Sequence, residues 1–228
     1  MSARGAGVRL SGPTLALAAA ALLAACGDGN KPNTCYDSNA FSYGFRPQAD
    51  TTLVFHWPAD RMPVRFYADT TGALRENVLA GLTAWVNAYH CQEASFQLVQ
   101  DSTTADVIVR QAPFLPPVGA AMTLDADSVG ACVGRTDFQI DTARALTGPF
   151  RAWVVPQATA DPVALAGCFR MVTTHELGHA LGIFTHSPDP GDLMYATPRR
   201  GTLSPDDRYT LQRLYHTTPT VRPSPRAR

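Results

Sequence analysis

A mixed α/β domain with a mostly parallel sheet is the fold class this sequence predicts, and three observations predict it. Residues 53–57 and 64–67 alternate or run apolar between prolines and acids, which is strand chemistry. Leu74, Val78, Leu79, Leu82, Trp85, Val86 and Tyr89 then mark one stripe at helical spacing, the core face of a helix that backs a sheet. Phe96–Val99 and residues 107–109 follow as two further short strands. Strand, helix, strand, strand is an α/β beginning. The 228 residues, 45% hydrophobic, suffice for one domain to bury a sizeable core once the chain ends are set aside.

Beyond this start the pattern weakens. Residues 112–135 are rich in Pro, Gly, Ala and Asp and read as a long loop, a feature often functional or metal-stabilised. Asp125, Asp127 and Asp137 there are possible calcium oxygens, but their spacing matches no calcium-loop motif, and solvated turn aspartates are the simpler account. Residues 136–140 and 151–155 are the remaining strand candidates. Asp161 before Pro162 offers one start for a helix, and a start near Cys168 is equally allowed. Ser204, Pro205, Asp206 and Asp207 give a strong start for a last helix, with a cap, a first-turn proline and acids at the positive end. From Thr217 the Thr, Pro and Arg-rich tail, 217–228, reads as disordered.

The N-terminus has the grammar of export. Arg4 and Arg9 precede an apolar run over residues 15–25, too short to span a membrane comfortably as a mature helix. It closes in Leu23-Ala24-Ala25-Cys26, which resembles a bacterial lipobox. That resemblance implies a signal peptide over 1–25 and lipidation of Cys26, with several acyl chains anchoring the protein stably. Residue 27 is glycine rather than the aspartate associated with inner-membrane retention, so an outer-membrane or cell-surface address is expected. Residues 26–50 read as the lipidated cysteine and its tether, and 51–216 as the folded domain.

Four cysteines remain: Cys35, Cys91, Cys132 and Cys168. In an exported protein they read as two disulfides with three possible connectivities, of which Cys35–Cys91 and Cys132–Cys168 are preferred. The formal net charge is zero, so no broad basic field argues for nucleic acid or acidic lipid.

Chemistry concentrates in His175-Glu176-Leu177-Gly178-His179-Ala180-Leu181-Gly182-Ile183-Phe184-Thr185-His186. Histidines four apart on a helix share a face, so both imidazoles can reach one ion. Glu176 projects beside that face, where it can take a proton from water without being a ligand. Gly182 can end the helix through a left-handed turn. The chain can then return His186 to complete a three-histidine site with one open position, the arrangement of catalytic rather than structural zinc.

This stretch resembles the metzincin metalloproteases, and among them the matrixins. The resemblance makes His175, His179 and His186 zinc ligands and Glu176 the general base. It departs in having three residues, not two, between glycine and the last histidine. Thr185 therefore holds the usual ligand position, and His186 is preferred because bacterial matrixin-like sequences share the longer turn. Asp192-Leu193-Met194-Tyr195 is similar to the Met-turn of that clan, with Met194 a hydrophobic floor and not a ligand. Residues 203–207 and 211–215 are similar to the closing matrixin helix.

The resemblance further implies an antiparallel edge strand that pairs with extended substrate, sought within 134–140. It makes 195–201 a wall of the pocket for the residue after the scissile bond. The function so implied is a zinc endopeptidase, a monomer acting on proteins or peptides. The alternative is a lipid-anchored binding protein on the same scaffold without catalysis. A plain structural lipoprotein of the envelope would leave the histidines unexplained. Cysteine latency is not expected, since no propeptide cysteine motif precedes the first strand.

Overall fold

The computed structural model describes residues 35, 37, 39–49, 52–70, 72–118, 122–124, 127–129, 132–156 and 161–223. The signal and lipidation readings of 1–26 lie outside them. No helix among the described residues is long and apolar enough to cross a membrane.

Strands β1 (Val64–Ala68), β2 (Phe96–Val99), β3 (Val107–Gln111), β4 (Met122–Thr123), β5 (Asp127–Val129) and β6 (Cys132–Phe138) share one sheet with a later strand, β8 (Phe150–Pro156). The spatial order is β2-β1-β3-β8-β6-β4, with β5 also paired to β6. Pairing is parallel from β2 through β8. It is antiparallel between β8 and β6, and between β6 and both β4 and β5. The expected mostly parallel sheet with an antiparallel margin is therefore present. A separate parallel pair joins β7 (Ala145–Leu146) to β9 (Arg222–Pro223).

Two helices cover this sheet. Helix α1 (Leu74–Val86) meets β1, β2 and β3, while α2 (Pro162–Ala180) meets β6 and β8 and packs along α1. Asp161 starts α2 as its cap, its carboxylate accepting from Val163 N–H at 2.9 Å with Pro162 in the first turn. A third helix, α3 (Pro205–Tyr215), begins with a full capping box between Ser204 and Asp207. Both preferred disulfides form, Cys35–Cys91 and Cys132–Cys168, the second joining β6 to α2.

Several expectations need correction. Residues 53–57 are extended and largely buried but join no sheet. Their backbone partners are in the tail, where Thr220 and Val221 N–H groups both donate to the Val54 carbonyl. Residues 217–223 of the tail are consequently docked, with Val221 fully buried; a Thr- and Pro-rich composition did not reveal that docking, and 224–228 lie outside the described residues. In α1, Leu79 and Val86 are 56% and 40% exposed, and Tyr89 lies past the helix end. Gly81 takes a place on the buried face instead, so close to α2 that an added Cβ would lie 2.7 Å from Leu177 Cδ1. The predicted loop 112–135 contains β4, β5 and the start of β6. Strands of two or three residues carry no readable period, and only pairing to β6 makes them strands.

β6 itself is not the margin sought within 134–140. Its outer side is taken by β4 at Asp137 and Phe138 and by β5 at residues 132–134, so the margin of the sheet is formed by those strands. The segment 43–49 is likewise no simple tether. Phe45 is buried, and its N–H donates to Thr210 Oγ1 of α3 at 3.0 Å.

Candidate metal centre

Helix α2 carries His175, Glu176 and His179 on its last two turns, all fully buried. The helix then ends where expected, at Gly182 with φ of +112°. An added Cβ there would also lie 2.2 Å from the Phe55 carbonyl oxygen, so both backbone angle and space demand glycine.

The three residues after Gly182 are each used. Ile183 is buried and its carbonyl accepts from His179 Nδ1 at 2.5 Å. Phe184 N–H donates to the Pro47 carbonyl at 2.5 Å, and its ring stacks on Phe138 at 4.6 Å. The Thr185 hydroxyl donates to the Arg46 carbonyl. The one-residue-longer turn is thus tied down by the N-terminal segment, and Thr185, in the usual ligand position, is occupied elsewhere.

His186 closes the cluster. One ring nitrogen from each of His175, His179 and His186 lies within 4.8 Å of the others. Ring centroids are 4.7, 5.5 and 5.2 Å apart for the pairs 175–179, 175–186 and 179–186. His175 Nδ1 lies 2.7 Å from the Leu193 carbonyl, and His179 Nδ1 faces Ile183. A carbonyl only accepts, so in both rings Nδ1 carries the proton and Nε2 keeps the lone pair a metal needs. Three neutral imidazoles suit zinc and related transition ions rather than calcium or magnesium.

Met194 is fully buried beneath α2. A Cβ added to Gly178 would lie 2.5 Å from Met194 Sδ and 2.7 Å from Trp85 Cζ2, so glycine lets the helix settle on the turn that carries Met194. The turn closes through Ser187 N–H donating to the Met194 carbonyl at 2.8 Å.

A residue the sequence offered only as a helix-end charge holds this turn from outside. Asp207 accepts from Leu193 N–H at 2.8 Å, Met194 N–H at 3.1 Å and Ser204 N–H at 2.8 Å. Burial pushes its carboxyl above the ordinary carboxylate value, against the opposing pull of those N–H groups. Asp207→Ala is expected to strand three buried donors and cost about 3 kcal/mol, a fall in melting temperature on the order of 10 °C. A thermal melt of the disulfide-intact protein checks this; a shift under about 2 °C would remove Asp207 as the turn's support.

The remaining candidates do not converge here. Asp137 is committed to a salt bridge with Arg135 at 2.9 Å and to Trp153 Nε1–H, which leaves little for calcium. Asp125 lies outside the described residues. Arg199 and Arg200 are exposed, and Arg200 donates to the Gly191 carbonyl at 3.0 Å. His90 is exposed. His56 packs on Tyr215, and burial lowers its pKa below the ordinary histidine value.

Residues 113–216 match the matrixin family profile, from the segment ahead of β4 to the end of α3. Over that stretch, a little under half of the chain, the protein is similar to the matrixins. Similarity also extends to a 72 kDa type IV collagenase of Gallus gallus, 45% identical over 56 residues, which are 23% of this chain. The chain spans 8% of that relative's length. The matrixin match begins well upstream of His175, where the motif-level resemblance starts, and takes in β4 through β8.

Proposed function

We propose that the protein is a zinc-dependent endopeptidase, with His175, His179 and His186 holding the metal and Glu176 acting as general base. The observation that carries this reading is the convergence of three imidazole nitrogens beside a fully buried carboxylate in a matrixin-like frame. Zinc held there supplies a water of near-neutral pKa and polarisation of the scissile carbonyl. Glu176 removes a proton from the attacking water and returns it to the nitrogen of the leaving amine, so no serine or cysteine nucleophile is required. The Leu193 and Ile183 carbonyls keep His175 and His179 in the tautomer that points Nε2 at the metal.

The substrate class is protein or peptide, and residues 195–201 would form a wall of the pocket for the residue after the scissile bond. The apolar run ending in Cys26 supports export and lipid attachment, which would present the domain from the cell envelope. The direct test is digestion of denatured casein by the full chain beside its Glu176→Ala variant. Cleavage by the first alone supports the peptidase. Intact casein with both, and zinc bound, would favour a non-catalytic binding protein.

A further inference from the structure

We propose that Thr136 is a positioning residue for Glu176: its hydroxyl holds carboxylate oxygen Oε2 and so fixes the carboxylate that acts as base. The catalytic half of this inference rests on the peptidase reading above. Thr136 stands on β6, 40 positions from Glu176 in sequence, and both residues are fully buried. Its Oγ1 lies 2.7 Å from Glu176 Oε2. The Glu176 backbone carbonyl is farther, at 3.3 Å. A hydroxyl has one proton to give, and the carboxylate oxygen at the shorter distance takes it.

The other oxygen has its own seat. A Cβ added to Gly134, two residues earlier on the same face of β6, would lie 2.2 Å from Glu176 Oε1. The same atom would lie 2.5 Å from Val172 Cγ2, so glycine at 134 makes the space the carboxylate occupies. β6 therefore shapes the site twice, with Gly134 admitting the carboxylate and Thr136 fixing it.

That seat is rigid. Thr136 pairs with Ala152 of β8 on one side, and its carbonyl accepts from Leu124 N–H at 3.1 Å on the other. The Cys132–Cys168 disulfide ties the same strand to α2 two turns before Glu176. A glutamate side chain has three rotatable bonds, and a base that must meet a proton at one point gains from having them frozen in advance. Thr136 keeps its proton throughout; the proton that moves passes from water to the Glu176 carboxylate and on to the amine nitrogen.

The test compares Thr136→Val, which keeps the shape and removes the hydroxyl, with Thr136→Ser, which keeps the hydroxyl. With the zinc-loaded full chain and fluorescein-labelled denatured casein, Thr136→Val is expected to lower kcat roughly 10- to 100-fold with KM within about twofold. Thr136→Ser should recover kcat to within about threefold, and zinc should stay at one per chain in both. In metal-free protein, Thr136→Val should lower the melting temperature by roughly 5 °C, but by about 1 °C when Glu176 is already alanine. Equal shifts in the two backgrounds, or an unchanged kcat, overturns the proposal. If the wild-type protein cleaves no casein, the peptidase reading fails by itself, and the two melting shifts still decide whether Thr136 holds the carboxylate.

Discussion

Alanine at Glu176 is expected to lower casein cleavage by about 10²- to 10⁴-fold while the protein keeps one zinc per chain. The three imidazoles converge without it, so the metal does not depend on its carboxylate. Removing the side chain relieves a wholly desolvated carboxyl but gives up its hydrogen bond from Thr136, so the melting temperature should stay within about 5 °C of wild type. Zinc content by mass spectrometry, a thermal melt and a cleavage assay on one preparation separate these effects. Turnover within about threefold of wild type would take the glutamate out of the mechanism.

His186→Ala is expected to weaken zinc binding at least about 100-fold, whereas Thr185→Ala should change it by less than about threefold. The structure sets the two residues apart: His186 shares the nitrogen cluster, and the Thr185 hydroxyl is given to the Arg46 carbonyl. Competition with a chromophoric chelator measures both affinities. Normal binding by His186→Ala would mean that the third ligand has been misassigned. A large loss in Thr185→Ala would instead show that the contact of this turn with segment 46–47 holds His186 in place.

Local chemistry made part of this architecture legible in the sequence. The histidine spacing, Gly182 and the cap at Ser204 each express a rule operating within a few residues, and of the two starts allowed for α2 the chain uses the one at Asp161. The disulfide partners were narrowed by parity and then by position. What stayed hidden depends on residues far apart in the chain. Thr136 and Glu176 meet only because β6 lies across α2, and Asp207 reaches the Met-turn only because α3 starts beneath it. Residues 53–57 have strand composition, but the Val54 carbonyl accepts from Thr220 and Val221, and no local rule distinguishes that partner from a sheet. β4 and β5 are too short to show alternation and exist through their register with β6.

The central claim is that the three-histidine site holds a catalytic metal, and metal removal followed by titration tests it most directly. The full chain is stripped with a chelator, the chelator is dialysed away, and zinc is returned stepwise while casein cleavage is followed. The account predicts cleavage that disappears on stripping and returns in proportion to zinc, saturating at one ion per chain, with Glu176→Ala silent throughout. Cleavage that survives complete removal of the metal would contradict it.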